Sequence, residues 1–289
     1  ELMKYVAYTE DIKTASYALI DNPKNIQRQC KHLRFPLFVK PSKAGDSLGI
    51  DEHSLINNID ELKQKISELL PEYEEVLVEE YIKGREFTVL VAANADDHKT
   101  CTAFKPVEFI FPEGREFKTY ALKTSELHPE CNIPVADKKL DKQLRNDAKK
   151  IFRSFGGVGY ARMDFRMNDK GELFFLEINF TCSVFYSDGY EGSADYILKH
   201  DGIGQAGFLN HIITEGIARH RRKQKKFVMK GNSIAGFGIY ASSPIKEGEV
   251  IFHGEERPHR LVTKAYVEQH WSKGEKKLFR HYAYPISNE

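Results

Sequence analysis

The stretch from Tyr160 to Phe180, "YARMDFRMNDKGELFFLEINF", carries the pattern that decides the fold. Its first half places Met, Phe and Met at every second position, with polar side chains between them at Arg162, Asp164 and Arg166. Residues 168–171, "NDKG", form a turn sequence, and a second apolar run follows it. The alternation and the turn together predict a β-hairpin with one apolar face and one polar face.

The polar face of this hairpin is a candidate metal site. With a connecting loop of two or four residues, Asp164, Glu177 and Asn179 share one face, with Arg162 beside them. A three-residue bulged loop would move Glu177 to the opposite face. Carboxylate and amide oxygens are ligands that suit Mg²⁺, which also accepts phosphate oxygens of a substrate. The same pattern equally fits a solvated face with cross-strand ion pairs.

Composition excludes several classes of function. The 289 residues are enough for one large or two ordinary domains, and a net charge of +1 argues against nucleic acid or membrane as a partner. No apolar run has the length of a membrane span, and no signal peptide opens the chain. The cysteines lack disulfide or metal-ligand spacing, which favours a reducing compartment, the cytoplasm. They are Cys30, Cys101, Cys131 and Cys182.

Apolar periodicity along the chain predicts an α+β protein. We expect helices at residues 51–70, 137–155 and 207–218. We expect strands at "FPLFVK" (35–40), at 76–82 and 86–93 as a hairpin, at 100–103 and at 107–111. The basic run "RHRRKQKK", residues 219–226, is expected to be a linker between domains.

The segment "VKPSKAGDSLGI", from Val39 to Ile50, has the features of a phosphate-binding loop. A strand ends at Lys40, and Gly45, Ser47 and Gly49 follow it. Small residues let backbone N–H groups approach a phosphate, and the lysine supplies a positive charge. No Gly-Lys-Ser/Thr closes the loop, so it is not a Walker A motif. An ordinary turn is the alternative interpretation.

The segment "EEYIKGREF", from Glu79 to Phe87, combines apolar side chains with hydrogen-bond acceptors. Adenine requires apolar walls and an acceptor for its amino group, and ribose hydroxyls require a carboxylate. Tyr81 and Ile82 supply the apolar walls, and the glutamates supply the acceptor and the carboxylate. An edge hairpin with solvated glutamates is the alternative.

These three segments, in this order, resemble the ATP-grasp superfamily, and most of all D-alanine–D-alanine ligase and its carboxylate–amine ligase relatives. The resemblance covers roughly residues 14–215. It implies an ATP-grasp fold, with two α/β subdomains and mainly antiparallel sheets. It also implies an ADP-forming ligase that uses ATP with Mg²⁺ or Mn²⁺ and joins a carboxylate to an amine, either small molecules or peptides. A homodimer is compatible with it.

The resemblance also implies roles for individual residues. Lys40, Gly45, Ser47 and Lys123 would hold the ATP phosphates; Glu79, Glu80, Tyr81 and Ile82 would contact adenine; Glu86 would hold ribose; Asp164, Glu177 and Asn179 would bind two Mg²⁺; Arg162 and Lys123 would act in catalysis.

Three positions depart from the D-alanine-joining members of that family. Asp46 replaces a serine, Thr124 replaces a tyrosine, and residues 181–185 replace a Pro-Gly turn. Because these positions face the amino-acid substrate in the family, a substrate other than D-alanine is expected. Such ligases also carry an upstream α/β domain, which residues 1–13 do not supply.

The segment "KGNSIAGFGIYASSPIKEGEVIFHGEE", from Lys230 to Glu256, resembles the opening of a SET domain. Its short strands and Ser-Pro and Glu-Gly turns agree with that resemblance. The Asn-His-Ser-Cys segment and catalytic tyrosine of SET methyltransferases are missing, so S-adenosylmethionine would bind only if the domain is completed elsewhere. The expected organisation is an ATP-grasp domain at 1–218, the linker at 219–226 and a β-rich SET-like segment at 227–289.

Two alternative functions remain open. One is a SET-type protein lysine methyltransferase that carries an ATP-grasp module. The other is a non-catalytic module that binds a nucleotide or a peptide. Both would use the same segments for binding, and neither predicts ATP turnover that depends on a carboxylate and an amine.

Overall fold

The structure is a computed structural model that describes residues 2–45, 48–117, 129–180, 182–223, 226–232, 236–249 and 263–282. The chain divides into two compact units, Glu1–Lys223 and Gln224–Glu289. The division falls inside the basic run 219–226. The last helix of the first unit continues to Lys223, so the first part of that run is helical.

The first sheet of the larger unit contains β1 (Tyr17–Ile20), β2 (Leu37–Pro41), β3 (Leu55–Ile56) and β4 (Val76–Glu80). They run in the order β1-β4-β2-β3, and every pairing is antiparallel. Short helices precede and connect them: α1 (Leu2–Thr9), α2 (Ile26–Gln29) and 3-10 turns at Pro23–Asn25 and Glu52–Ser54.

One face of the first sheet packs against α3 (Ile59–Leu69). The Asn58 side chain accepts hydrogen bonds from the N–H groups of Asp60 and Glu61, which fixes the start of this helix. The helix expected at 51–70 therefore begins eight residues late. The residues before Asn58 form the 3-10 turn and β3 instead.

The second sheet contains β5 (Arg85–Ala93), β6 (Cys101–Ala103), β7 (Val107–Phe109), β8 (Asn132–Pro134), β9 (Tyr160–Met167) and β10 (Leu173–Asn179), with a 3-10 turn at Pro129–Cys131 before β8. The order is β10-β9-β5-β7-β8, and β6 also pairs with β5. All of these pairings are antiparallel, which confirms the expected α+β class with antiparallel sheets.

The strands β4 and β5 do not form the hairpin that the sequence predicts. β4 pairs within the first sheet, whereas β5 pairs with β9, β7 and β6 in the second. Residues 81–84 instead carry the chain from one sheet to the other, and we call them the crossover. Gly84 has φ 139°, and a Cβ there would lie 2.1 Å from the Met167 carbonyl oxygen, so only glycine fits.

A helix covers the apolar face of the second sheet. α4 (Lys138–Ser154) begins at Asp137, whose side chain accepts from the N–H groups of Lys139 and Leu140. Its buried residues Leu144, Ala148 and Ile151 pack on Phe87, Met163, Phe165 and Phe175 of the sheet. The expected helix at 137–155 is confirmed. Each large side chain buried in this way contributes about 1.5–3 kcal/mol.

The opposite face of the second sheet is only partly covered. α5 (Ser193–Asp201) and α6 (Gly204–Lys223) pack Ile197, Leu198 and Phe208 on the end of β5 at Leu90 and Ala92. Four polar residues of β9 and β10 are left half-buried on this face: Arg162, Asp164, Glu177 and Asn179. Among the described residues, no helix is long and apolar enough to cross a membrane. The four cysteines are free and buried.

The smaller unit contains an antiparallel hairpin of β11 (Phe227–Asn232) and β12 (Gly236–Ala241). Two helices follow, α7 (Lys264–His270) and α8 (Lys273–Tyr282). Thr263 starts the first of them by accepting from the Tyr266 N–H group. The hairpin agrees with the short strands expected there, and the SET-like interpretation stays a prediction.

Candidate functional site

The loop of the β9–β10 hairpin is the three-residue bulged type. Asn168 N–H donates to the Glu172 carbonyl oxygen (3.0 Å), and Gly171 N–H donates to the Asn168 carbonyl oxygen (2.9 Å). Gly171 has φ 76°, the left-handed conformation that this kind of loop requires. The expected loop of two or four residues is therefore wrong. Alone, this loop would turn Glu177 to the apolar face.

A second irregularity, a β-bulge in β10, restores the expected face. Phe175 pairs with Phe165, but Glu177 pairs with Asp164, so the register shifts by one residue between them. Directly paired residues point to the same side of a sheet. Glu177 therefore lies on the polar face with Asp164, as predicted, because the bulge cancels the effect of the loop.

The side chains on this face form what we call the carboxylate cluster: Arg162, Asp164, Glu177 and Asn179. Arg162 Nη2 lies 3.0 Å from Asp164 Oδ2. Asn179 Nδ2 donates to Asp164 Oδ2 (3.2 Å) and to Glu177 Oε1 (3.3 Å). The Asn179 side-chain amide thus lies between two carboxylates. The negative charge of these carboxylates would also attract a metal cation to the same position.

The donor set fits a magnesium ion that is shared with a substrate. In the part of the chain that the structure describes, no three His, Cys, Asp or Glu residues are grouped to enclose a metal. Two carboxylates and one amide oxygen form an incomplete set, and Mg²⁺ takes its remaining ligands from water and phosphate. Asn179 would turn its amide oxygen toward the ion.

Arg162 remains a cation at every physiological pH. Burial lowers the pKa of its guanidinium, but Asp164 first and then Cys182 and Glu177 raise it, and the net pKa lies above the ordinary value. The cluster therefore holds one permanent positive charge beside two carboxylates. Such a charge can stabilise an anion that develops during a reaction.

The polar face of the first sheet carries a second group, the lysine cluster: Lys4, Lys40 and Glu79. Lys40 Nζ lies 3.2 Å from Glu79 Oε2, and Lys4 Nζ lies 2.5 Å from Glu79 Oε1. The side chains of Lys4 and Glu79 are only 5% and 7% exposed. One carboxylate is thus shared by two lysines, and this group of three keeps one positive charge for an anionic ligand.

Lys4 is a site residue that the sequence interpretation missed. It lies on α1, three residues before the fully buried Ala7 and on the same side of the helix. A lysine at helical spacing from a core position is a signal that could have identified it.

Mutual attraction keeps Glu79 and Lys40 of the lysine cluster ionised. Burial raises the pKa of Glu79, but Lys40 and Lys4 lower it further, to about 2. Burial lowers the pKa of Lys40, but Glu79 and Glu177 raise it above its ordinary value. Glu79 and Lys40 are therefore charged at neutral pH, because each stabilises the charge of the other.

The two clusters meet at Lys40. Its Nζ lies 3.7 Å from Glu177 Oε2, which belongs to the second sheet. Lys4, Glu79, Lys40 and Glu177 thus form a continuous line of alternating charge across both sheets. Cations at one end and metal-binding oxygens at the other suit a polyphosphate chain with a bound divalent ion.

The crossover and the first residues of β5 provide an aromatic and carboxylate wall beside these clusters. The Tyr81 ring stacks on Phe38 with 6.2 Å between centroids, and its hydroxyl donates to the Glu116 carbonyl oxygen (2.8 Å). Glu86 is buried and lies directly opposite Arg166 in the β5–β9 pairing. Ile82 is half-buried beside Tyr81.

The remaining predicted residues lie apart from the clusters or outside the described residues. Glu80 faces the other way, and its Oε1 accepts from the Arg34 backbone N–H at 3.0 Å. Gly45 closes a turn, where its carbonyl oxygen accepts from the Leu48 N–H at 3.0 Å. The residues outside the described part are Asp46, Ser47, Lys123, Thr124 and Thr181.

The segment after Asn179 is fixed by one buried carboxylate. Asp195 Oδ1 accepts from the Phe185 N–H (2.9 Å) and from Gln205 Nε2 (2.9 Å), and its Oδ2 accepts from the Gly192 N–H (3.1 Å). These bonds hold Phe185 at φ 70°, a conformation that bulky residues rarely adopt. Strain of this kind is frequent where a side chain serves a ligand.

Comparisons with known proteins agree with this geometry. A family model described as "D-ala D-ala ligase C-terminus" matches residues 6–185. The D-alanine–D-alanine ligase of Legionella pneumophila (strain Corby) is 29% identical over 240 residues, which cover 78% of this chain. The D-alanine–D-alanine ligase B of Clostridium tetani is 32% identical over 202 residues, which cover 66% of this chain.

Among solved structures, the VanG D-Ala:D-Ser ligase of Enterococcus faecalis superposes with a TM-score of 0.58 at 22% identity, over 74% of this chain and 60% of that one. At that identity the likeness shows the fold alone. The chain spans 62% of the Legionella ligase and 54% of the Clostridium ligase. None of these similarities supports a SET domain or S-adenosylmethionine binding, and the family match ends at residue 185.

Proposed function

Because this chain belongs to the D-ala D-ala ligase C-terminus family, we propose that it carries the nucleotide and metal site of an ATP-dependent carboxylate–amine ligase. The products would be ADP, phosphate and an amide. The observation that carries the proposal is the 3.7 Å contact between Lys40 and Glu177, because it joins the lysine cluster to the carboxylate cluster. A triphosphate with its metal requires both.

Different residues of the chain would bind the phosphates, the base and ribose, and the metal. Lys4 and Lys40 hold phosphate oxygens by charge, with Glu79 keeping both lysines in place. Tyr81, Ile82 and Glu86 form the side of the pocket for base and ribose. Asp164, Glu177 and Asn179 hold Mg²⁺, which when bound neutralises charge on the transferring phosphoryl group.

The reaction proceeds in two transfers. An oxygen of the substrate carboxylate attacks the terminal phosphorus of ATP, ADP leaves, and an acyl phosphate forms. The amine nitrogen then attacks the acyl carbon, and the tetrahedral intermediate collapses. Inorganic phosphate leaves with the C–O bonding pair and takes up the proton that the nitrogen loses. Arg162 is placed to stabilise negative charge on the acyl phosphate and on the tetrahedral intermediate, because it is a permanent cation beside the metal ligands.

The substrate is proposed to differ from D-alanine. The segment held by Asp195 presents Phe185, Tyr186 and Tyr190, whose exposed fractions are 37%, 43% and 68%. These residues follow the metal-binding strand, and Phe185 ends the segment 181–185 that stands where D-alanine ligases are expected to have a Pro-Gly turn. Exposed aromatic rings favour an amine substrate with an apolar portion, such as a larger amino acid or a peptide.

The proposal is tested by measuring ADP release with Mg-ATP against a panel of carboxylates and amines, with mass spectrometry of the products. We expect ADP release that requires an acid and an amine, and a product mass equal to their condensation. Lys40→Met should lower the rate at least tenfold, because it removes the charge that joins the clusters. The matched control is Lys13→Met, which removes an exposed lysine paired with Glu172. Nucleotide binding without any turnover would overturn the ligase proposal.

A further inference from the structure

The residues that follow the carboxylate cluster expose several aromatic rings. We call residues 182–192, "CSVFYSDGYEG", the aromatic loop. Its side chains Phe185, Tyr186 and Tyr190 are all exposed to solvent. Apolar surface that is exposed together in one place usually marks a binding site. The charges of the loop and its position in the fold indicate what kind of ligand it would bind.

The aromatic loop is held in place by a buried network. Gln205 Nε2 donates to the Tyr186 carbonyl oxygen (2.9 Å) and to Asp195 Oδ1 (2.9 Å). A Cβ at Gly192 would lie 3.4 Å from the Tyr186 ring, so this ring packs against the glycine. A surface that is ordered in advance loses less conformational entropy when a ligand binds.

The loop begins beside the carboxylate cluster. Its first residue, Cys182, comes three residues after Asn179, and its carbonyl oxygen accepts from the Tyr160 hydroxyl at 3.5 Å. Burial raises the pKa of the Cys182 thiol to about 11, and the charge of Arg162 partly opposes this rise. Arg162 is itself paired with Asp164, so its own charge is compensated. A molecule bound by the loop would therefore lie next to the proposed reaction centre.

The charges of the loop discriminate between ligands. Between Lys170 and Lys199 the chain contains no lysine, arginine or histidine, whereas the loop contains Asp188 and Glu191. The faces of aromatic rings also attract cations. Both features favour a ligand with a positive charge and disfavour one with a negative charge. A neutral apolar ligand would use the rings and leave the two carboxylates without a function.

We propose that the amine substrate carries a second, positively charged group, as a basic amino acid or a peptide beginning with one does. The aromatic loop binds this side chain, while the α-amine, in its uncharged form, attacks the acyl carbon. The rings contact the apolar or planar part of the side chain, and Asp188 and Glu191 attract its charge. This inference rests on the proposed function, whose amine it narrows to one chemical class.

The test compares amines that differ only in this second charge. Arginine is compared with citrulline, which has the same length and a neutral end, and lysine with norleucine, which lacks the terminal ammonium. Each is offered in its L and D forms, both free and as the first residue of a dipeptide with alanine. The rate of ADP release by the full chain is measured at saturating Mg-ATP with the panel of carboxylates. The two arms, free and dipeptide, distinguish an amino acid from a peptide as the substrate.

The expected result is a preference for charge. For at least one pair, kcat/KM for the charged amine should be about tenfold higher or more, because the rings and both carboxylates each add a modest attraction. The double variant Asp188→Asn/Glu191→Gln keeps the size of both side chains and should reduce this preference below about threefold. Tyr190→Leu keeps the apolar surface and should reduce it by about two- to fivefold.

Asp169→Asn is the matched control. Asp169 is also an exposed acidic residue, but it lies in the turn at the opposite end of β10 from the aromatic loop. This variant should keep the full preference for charged amines. A loss of preference in the control would assign the effect to the overall charge of the protein, and would overturn the inference.

The outcomes separate this inference from the proposed function. If no acid and amine together support ADP release, the proposed function fails and the inference fails with it. If the neutral amines react as fast as their charged counterparts, or if the double variant keeps the full preference, the inference alone is overturned. If the double variant does not fold, Tyr190→Leu decides, since an unchanged preference in that variant overturns the inference.

Discussion

The lysine cluster and the carboxylate cluster both consist of oppositely charged or hydrogen-bonding side chains in contact, but the signs of their charges are reversed. In the first, the Glu79 carboxylate holds two lysines, and in the second, Arg162 and Asn179 hold two carboxylates. They differ in exposure. The Glu79 side chain is 7% exposed, whereas that of Glu177 is 38% exposed.

This difference separates stability from ligand binding. The Glu79 carboxylate of the lysine cluster is buried, and its two oxygens contact Lys4 and Lys40. The carboxylate cluster is open, so a bound ion can replace the Asn179 hydrogen bonds. Changes in the lysine cluster should therefore affect stability first, and changes in the carboxylate cluster should affect activity first.

The largest effect is expected for Glu177→Gln. The substitution removes a charged metal ligand, and we expect the rate of ADP release to fall on the order of 10²–10³-fold. Unfolding in urea should show a change in free energy below about 1 kcal/mol, because the side chain is partly exposed. Glu172→Gln, on the exposed loop of the same hairpin, is the control for both measurements. A loss of stability with full activity would contradict the comparison.

The next effect is expected for Glu79→Gln. It removes the carboxylate that contacts the buried Lys4 and leaves Lys40 with only the more distant Glu177. Breaking a buried pair in this way costs roughly 3–5 kcal/mol. Urea unfolding followed by circular dichroism measures this loss. If the variant unfolded with the stability of the wild type, the lysine cluster would not be part of the core.

The third prediction concerns pH. The pKa of Glu79 is lowered from 4.5 to about 2 by the lysines, so its ionised form stabilises the fold above pH 4.5. That contribution, about 3 kcal/mol, is lost as the pH falls from 4.5 toward 2. The urea midpoint of the wild type should be lower at pH 3 than at pH 5, and the difference between the two midpoints should be smaller in Glu79→Gln. An equal change in both proteins would assign the acid sensitivity to other groups.

The smallest effect is expected for Glu80→Gln, one residue along the same strand. Glu80 contacts Arg34, whose side chain is 88% exposed, and not the lysines. Exposed pairs contribute about 0–1 kcal/mol, so stability should change by less than that. The KM for ATP should change by less than about threefold. A loss as large as that of Glu79→Gln would mean that both glutamates belong to one cluster.

Much of this site could be predicted from the sequence because strand alternation determines which side chains share a face. Asp164 with Arg162, and Lys40 at the end of its strand, follow from periodicity. The face on which Glu177 lies was predicted correctly, although the loop type was predicted wrongly. Neither the bulged loop nor the β-bulge leaves a periodic signal in the sequence, and their effects on the register cancel.

The rest depends on contacts between distant parts of the chain. Strand β5 pairs with β9, about 75 residues away, and no local pattern distinguishes this from a hairpin with β4. The role of Lys4 depends on a contact between α1 and β4 in the same way. Apolar spacing placed the start of the helix at Asp137 correctly and the start of the helix at Asn58 too early, and in the structure a capping side chain fixes both starts.

The central claim is that the two clusters form one site for ATP and its metal. The most direct measurement is the affinity for ATP with Mg²⁺ and with excess EDTA, for the wild type, Lys40→Met and Glu177→Gln. We predict that Mg²⁺ tightens binding to the wild type at least tenfold, that Glu177→Gln loses only this metal-dependent part, and that Lys40→Met weakens binding under both conditions. Equal affinity of the wild type for ATP with and without Mg²⁺ would contradict the claim.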